Sequence, residues 1–340
     1  VSSGPDFLSG EPLNGDAAVD NSLRPRSFDG FVGRARTVDN LKTWINAARS
    51  RGEPLDHVLF SGPPGLGKTT LAYIIANEMD ATLHASSGPA LDRPRDLAGL
   101  LTTLQKGDVL FIDEIHRINV AVEEYLYTAM EDFYIDIVID QGPNARSLRL
   151  NLPRFTLVGS TTREGLLTPP LRGRFQILER LDYYEPEELR KIVLNSARIL
   201  EIGIRPDAAE LIARRSRGTP RVANRFLRRI RDVAHAIDAE TVDLEIARDG
   251  LERLGIDQSG LCELDRRILR AIGQSSTPVG LKTIAAVVGE EQDTVEEVYE
   301  PFLVREALVE KTPRGRVITR KAARLIGLAE GEPSAGGLFT

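Results

Sequence analysis

The residues Gly62-Pro63-Pro64-Gly65-Leu66-Gly67-Lys68-Thr69 place glycines ahead of a lysine and a hydroxyl in the order G-x-x-x-x-G-K-T. Glycines at this spacing let a backbone wrap tightly enough for its N–H groups to point at one anion. An apolar run precedes them and a helical pattern follows, so a helix N-terminus adds partial positive charge at the same place. That is the chemistry of a loop cradling the phosphates of a nucleotide such as ATP. Gly65 and Gly67 shape the cradle, Lys68 sets a cation on the β- and γ-phosphates, and the Thr69 hydroxyl is placed to ligate Mg2+.

Ile112-Asp113-Glu114 closes a second apolar run. Asp113 fits an acid that holds Mg2+ through water, and Glu114 one that orients and polarises an attacking water. A solvated strand end is the bland alternative for such a pair. Gly159–Arg163 closes a third run, and there Thr162 is the candidate to reach the γ-phosphate or the water, against an ordinary polar strand end. Within Arg172-Gly173-Arg174-Phe175 an arginine can reach a nucleotide held by a neighbouring subunit and neutralise charge developing in phosphoryl transfer. A surface salt bridge is the alternative there. Arg221, after Gly218-Thr219-Pro220, is placed to reach the nucleotide from a helix. Lys311, Arg314 and Arg316 suit phosphate contacts of low base specificity, against a solvated charge run. His57, His84, His116 and His235 show no metal-ligand spacing, and His116, after the two acids, reads as a supporting group rather than a catalytic one.

These residues need elements to hold them. Residues 37–51 carry apolar positions at helical spacing, and His57–Ser61 reads as a short buried strand. A helix over Thr69–Met79 follows the loop, with further buried strands over Val109–Asp113 and Phe155–Gly159. Buried strands alternating with helices predict an α/β domain built on a parallel sheet. Tyr134–Asp140 and Ser147–Leu152, flanking the turn signal Gln141–Asn144, predict an inserted β-hairpin. After about residue 182 strand signals stop. Pro186–Leu254 is helical, with breaks at Arg205–Asp207 and Arg217–Pro220. Helices over Leu264–Ile272, Leu281–Val288 and Asp293–Glu306, then two strands joined through Pro313-Arg314-Gly315, predict a winged helix-turn-helix. The expected divisions are a disordered tail at 1–22, an ATPase domain at 23–182 with its hairpin at 134–152, a helical lid at 183–254, a winged-helix domain at 255–330 and a flexible tail at 331–340.

At 340 residues, 41% hydrophobic and 28% charged, the chain has the composition of a soluble protein of more than one domain. One cysteine, Cys262, excludes an internal disulfide framework and fits a reducing compartment. No apolar run approaches the roughly 20 residues of a membrane span, and the first residues do not read as a signal peptide. A cytoplasmic protein is expected. The net charge of −6 hides two purely basic stretches: eight arginines between Leu211 and Arg231, and six lysines or arginines between Lys311 and Leu328.

The two motifs at Gly62–Thr70 and Phe111–Arg117 resemble the Walker motifs of AAA+ ATPases. Met130–Phe133, Ile135–Leu152 and Thr312–Arg316 narrow the resemblance to the RuvB family, from about Leu23 to Thr319. The resemblance implies an AAA+ motor, a DNA helicase or translocase that drives Holliday junction branch migration in recombination and DNA repair. It implies a homohexameric ring on duplex DNA, working with RuvA and RuvC. It carries ATP contacts onto Leu23, Arg24, Gly65, Lys68, Thr69, Thr70, Glu131, Asp132, Phe133, Tyr184 and Arg221. The sensor threonine falls on Thr162, the trans-acting finger on Arg174, the RuvA grip on the 134–152 hairpin and the DNA contacts on Lys311 and Arg316. Lys311 stands where the family usually has arginine, which keeps charge but not a bidentate fork. Gly173 and Gln176 replace the usual acid and glycine, Asp140-Gln141 replaces the common Gly-Glu, and Ser160 replaces an alanine with a mild effect expected. A replication-initiator or clamp-loader ATPase would lack the hairpin and this wing. A non-enzymatic DNA-binding regulator would lack Glu114 or Arg174.

Overall fold

The structure is a computed structural model. It describes residues 22–138 and 147–328, together with Leu8. Apart from Leu8 and Ser22, the expected 1–22 tail lies outside the described residues, as do the hairpin turn at Gln141–Asn144 and the 331–340 tail. The chain divides into two compact units, Leu13–Tyr184 and Glu185–Thr340.

The first unit carries β1 (Val58–Ser61), β2 (Leu83–Ser87), β3 (Val109–Asp113), β4 (Tyr134–Val138), β5 (Ser147–Asn151), β6 (Thr156–Thr161) and β7 (Ile177–Arg180). Five of these form one sheet in the order β2-β3-β6-β1-β7, with every pairing parallel. Every residue of β1 and β6 is buried, as are the first four of β3, because helices cover both faces of a parallel sheet. β2 and β7 escaped the sequence reading. They are edge strands with only partial burial, and Leu178 is 48% exposed, so neither presents an apolar run.

The strand order decides the site. β6 lies between β3 and β1, with Ile112 facing Gly159 and Ser61 facing Thr161 in register. The loop after β1, the acids ending β3 and the threonines ending β6 therefore emerge side by side at the carboxyl edge. The Lys68–Glu78 helix packs against β3 and β6. The inserted hairpin is present: β4 and β5 pair antiparallel from Tyr134↔Asn151 to Val138↔Ser147. Arg149 stacks 3.8 Å over the Tyr134 ring and holds Asp136 with two 2.9 Å hydrogen bonds. One face of the hairpin packs inward through Ile135, while Leu148 stays 47% exposed.

The second unit begins with helices Pro186–Ile199, Pro206–Arg215, Pro220–Ala236 and Leu244–Arg253. Each of the first three starts on proline, whose missing N–H is no loss in a first turn. Strand structure does not end at residue 182: β8 (Gly203–Ile204) and β9 (Thr241–Val242) pair in parallel, too short to leave a pattern. Helices Glu263–Gly273 and Leu281–Val288 follow. A third helical stretch opens at Gln292–Thr294, widens to π at Val295–Tyr299 and returns to α at Glu300–Arg305. Pro301 sits at that transition and offers no N–H to the carbonyl a turn earlier. β10 (Val309–Thr312) and β11 (Gly315–Ile318) form the wing, with Val279 bridging to Arg316 as a third rung. A last helix, Arg320–Leu325, was not anticipated.

Within this unit Arg217 and Asp265, 5% and 0% exposed, form a buried ion pair. Arg217 also stacks 4.2 Å over Phe302, and its carbonyl accepts from Arg305 at 3.1 Å. Asp265 accepts from the Cys262 N–H at 2.7 Å, and burial pushes the Cys262 thiol up to about 12.

Candidate functional site

Three glycines of the phosphate loop hold positive φ: Gly62 at 134°, Gly65 at 76° and Gly67 at 95°. At Gly62 a Cβ would stand 2.1 Å from the Leu181 carbonyl oxygen, so the loop closes only with glycine there. Lys68 is 6% exposed, and its ammonium donates to the Gly62 and Pro63 carbonyls at 2.7 and 2.9 Å, which points it into the loop's concavity. Beside Gly67 the missing Cβ faces the Phe31 ring at 3.5 Å and the Tyr184 hydroxyl at 3.8 Å. Arg34 stacks 4.5 Å over Tyr184. Leu23 is buried, and Arg24 lies 5.7 Å over Tyr73 on the helix that opens at Lys68. Phe31 was missed from sequence. An isolated aromatic outside every periodic stretch gives no signal, and only the fold brings it to Gly67.

At the carboxyl ends of β3 and β6 the acids and the threonines meet. The Glu114 carboxylate accepts from the Thr162 hydroxyl at 2.9 Å and the Thr162 N–H at 3.3 Å, both on Oε2. His116 Nδ1 stands 3.2 Å from the same oxygen and 3.0 Å from the Thr161 hydroxyl. Burial would raise the Glu114 carboxyl, but hydrogen bonds from His116 and Thr162, with the Lys68 charge, outweigh it and hold it below the usual carboxylate range. Asp113 Oδ1 accepts from the Glu114 N–H at 3.1 Å and from the Ser160 hydroxyl. Ser160 is thus in direct contact with the acid, a role its neutral chemistry did not announce. Glu114 itself is left-handed at φ 48°. Gly88, at the end of β2, fits against it: a Cβ there would fall 2.3 Å from the Glu114 carbonyl oxygen.

The structure does not bring every candidate together. The amino edge of the sheet is the far edge from the loop. His57 precedes β1, and its ring nitrogen lies 3.1 Å from the Met130 carbonyl, while its N–H donates to Gln176. Arg174 sits at this edge. It donates to the Pro170 carbonyl at 2.8 Å and to Glu131 at 2.9 Å, and it stacks 4.3 Å over Tyr127. Phe133, next to Asp132, packs edge-on to Phe155 at 5.9 Å. From His57 to Gly62 the extended chain covers about 16 Å at about 3.3 Å per residue. Glu131, Asp132, Phe133 and Arg174 therefore do not line the phosphate loop of their own chain.

On the wing, Lys311 and Arg316 are cross-strand partners, and both pair with Glu300. Lys311 reaches it at 2.7 Å and Arg316 at 2.6 Å. Glu300 is 4% exposed; burial would raise its carboxyl, but the two cations outweigh burial and hold it below its ordinary value. Arg314, at the turn, is exposed. The sequence reading found all three cations but not the acid that gathers two of them. Arg221 is the second residue of the Pro220–Ala236 helix, in the second unit. Among the described residues no cluster of three or more His, Cys, Asp or Glu could hold a metal, and no helix is long and apolar enough to cross a membrane.

A parallel sheet in this order, with a phosphate loop, a strand-end acid pair and a threonine between them, defines a P-loop ATPase. The family models narrow it. That described as the Holliday junction DNA helicase RuvB P-loop domain matches residues 23–181, the RuvB AAA lid domain residues 184–257, and the RuvB C-terminal winged helix domain residues 258–327. The chain belongs to the RuvB family. It is 56% identical over 336 residues to the Holliday junction branch migration complex subunit RuvB of Myxococcus xanthus, covering 98% of each chain. It is 55% identical over 334 residues to that of Chlorobaculum tepidum, covering 98% of this chain and 97% of the other. Among solved structures, the RuvB Holliday junction branch migration motor of Thermotoga maritima superposes with a TM-score of 0.81 at 47% identity, over 91% of this chain and 99% of that one.

Proposed function

We propose that this chain is the ATP-hydrolysing motor subunit that drives branch migration of Holliday junctions. The observation that carries the reading is the convergence of Lys68, Asp113, Glu114 and Thr162 at one sheet edge, in a chain matched by RuvB models from residue 23 to residue 327. ATP binds at Gly62–Thr70, with Gly65 and Gly67 shaping the loop and Lys68 against the β- and γ-phosphates. Leu23, Arg24 and Tyr184 flank it, and Arg221 is the further nucleotide contact that the resemblance to the RuvB family implies. Glu114 takes a proton from water as the water oxygen attacks the γ-phosphorus. The bond to the β–γ bridging oxygen breaks, and ADP leaves with the electron pair. Thr162 holds Glu114 for that step. The Thr69 hydroxyl, and Asp113 through water, would hold Mg2+, whose charge would offset that of the phosphates.

Arg174 completes the site of a neighbouring copy, with Glu131, Asp132 and Phe133 on the same face. That arrangement needs a head-to-tail neighbour, and a homohexameric ring on duplex DNA is our reading of it. Lys311, Arg314 and Arg316 contact DNA phosphates. The 134–152 hairpin grips RuvA, with RuvC joining for resolution, in the cytoplasm. The working divisions are 23–182 for the ATPase domain, 183–254 for the lid and 255–330 for the winged helix.

The decisive measurement is dissociation of a synthetic four-way junction. Product should form with ATP, fail with a non-hydrolysable analogue, and rise when RuvA is added. ATP hydrolysis without junction movement, at any RuvA concentration, would return the chain to the wider class of AAA+ ATPases.

A further inference from the structure

The sequence reads His116 only as a supporting group, and the fold sets it against the Glu114 carboxylate. Its ring is 8% exposed, with Nδ1 3.2 Å from Glu114 Oε2 and 3.0 Å from Thr161 Oγ1. The Thr161 hydroxyl oxygen also accepts the Arg163 N–H at 3.0 Å. An ionised carboxylate only accepts, so Nδ1 carries its single hydrogen and shares it between Glu114 Oε2 and Thr161 Oγ1. His116 is therefore a donor to Glu114, and its ring is anchored through Thr161 to the end of β6.

We infer that His116 is a positioning residue for ATP hydrolysis: with Thr162, it fixes the Glu114 carboxylate by one oxygen so that the other is presented to the attacking water. The inference rests on the reading of Glu114 as the group that activates water. Two donors from different places act on Oε2, Thr162 from the end of β6 and His116 from the turn that follows β3. Glu114 has three side-chain torsions and 29% side-chain exposure, so its own packing does not fix it. One donor leaves the carboxylate free to rotate about a single contact. Two donors, themselves tied together across the β3–β6 pair, set both its position and its plane. Oε1 is then the oxygen available for the proton. Because reactive geometry tolerates little displacement, losing one of the two holds acts on the chemical step rather than on nucleotide affinity.

The experiment uses the full chain and compares three variants by steady-state ATPase assay and by equilibrium binding of a fluorescent ATP analogue. His116→Ala is expected to lower kcat by about tenfold to 100-fold, with KM for ATP, analogue affinity and melting temperature little changed. His116→Asn carries an amide N–H near the Nδ1 position and should recover most of the loss. In a Glu114→Gln background, His116→Ala should cause no further loss, since it acts only through Glu114. Unchanged kcat in His116→Ala would overturn the inference. So would a loss that is shared by analogue affinity and melting temperature and is not rescued by asparagine, because that describes a structural histidine. Near-normal turnover in Glu114→Gln alone would overturn instead the reading on which it rests.

Discussion

Gly88 has no side chain, and Glu114 leaves room for none. Glu114 holds a left-handed backbone at φ 48°, a conformation that costs a bulky residue on the order of 1–3 kcal/mol. Its surroundings must impose it: the Glu114 N–H donates to Asp113, Arg117 N–H closes back on the Glu114 carbonyl at 2.9 Å, and Gly88 packs against that carbonyl. A methyl at Gly88 would meet backbone rather than a movable side-chain end, at 2.3 Å from the oxygen and 3.2 Å from the carbon. The turn after β3 has to give way, carrying Glu114 and His116 with it. Gly88→Ala should therefore lower ATP turnover about tenfold or more while leaving nucleotide affinity close to normal. Turnover and analogue binding measured on one preparation check this, and unchanged turnover would detach β2 from the site. Nothing in the sequence pointed at Gly88. A close approach between residues on two different strand ends leaves no spacing pattern, whereas Asp113 and Glu114 could be read because they end a buried apolar run.

At the scale of elements, His57 ties three of them. Its Nδ1 accepts the Leu157 N–H of β6 at 2.9 Å, which leaves Nε2 to donate to the Met130 carbonyl at the end of the Val120–Glu131 helix. Its own backbone leads into β1. Burial holds its imidazole below the ordinary value, so the ring stays neutral in the native state. The unfolded chain takes up a proton at about pH 6.5, where the native ring does not. Lowering the pH below that point therefore favours unfolding, and the stability held above it is lost as pH falls toward the lowered native value. His57→Gln offers an acceptor and a donor without titrating in this range. Its melting temperature should fall less than that of the parent between pH 7 and about pH 5.5, and parallel curves would remove His57 from the account. The central strands β1, β3 and β6 were legible because burial on both faces makes them continuous apolar runs. The edges β2 and β7, and the two-residue strands β8 and β9, were not, since one-sided burial and short length erase that signal. The wing shows the same limit for charge. Lys311 and Arg316 announced a basic tip, but Glu300 folds onto them from a helix, so any phosphate must compete with a buried carboxylate for both. If this wing contacts DNA as proposed, its affinity depends on how far the cations can leave Glu300, which no count of positive charges conveys.

For the whole molecule, the proposed shared site makes the two edges of the sheet its complementary halves. Lys68, Asp113, Glu114 and Thr162 lie at the carboxyl edge, and Arg174 with Glu131 lies at the amino edge, so no single chain joins them. The proposed head-to-tail contact between copies would bring the amino edge of one to the carboxyl edge of the next, and such contacts form a ring where the rotation closes. Lys68→Ala and Arg174→Ala should each abolish DNA-stimulated hydrolysis when present in every subunit. When the two are mixed, an intact site arises wherever an Arg174→Ala chain holds the nucleotide and a Lys68→Ala chain supplies the finger. Random mixing makes about one interface in four of this kind, and activity should reappear roughly in that proportion. If Arg174 served its own nucleotide, every site in the mixture would lack one residue and no activity would return. Subunit exchange must be verified independently, by native mass spectrometry of the mixed rings, so that silence counts against the shared site rather than against mixing. The same mixture separates catalysis from motion. Restored hydrolysis without restored junction movement would show that scattered intact sites fire but that neighbouring subunits must fire in turn to move DNA.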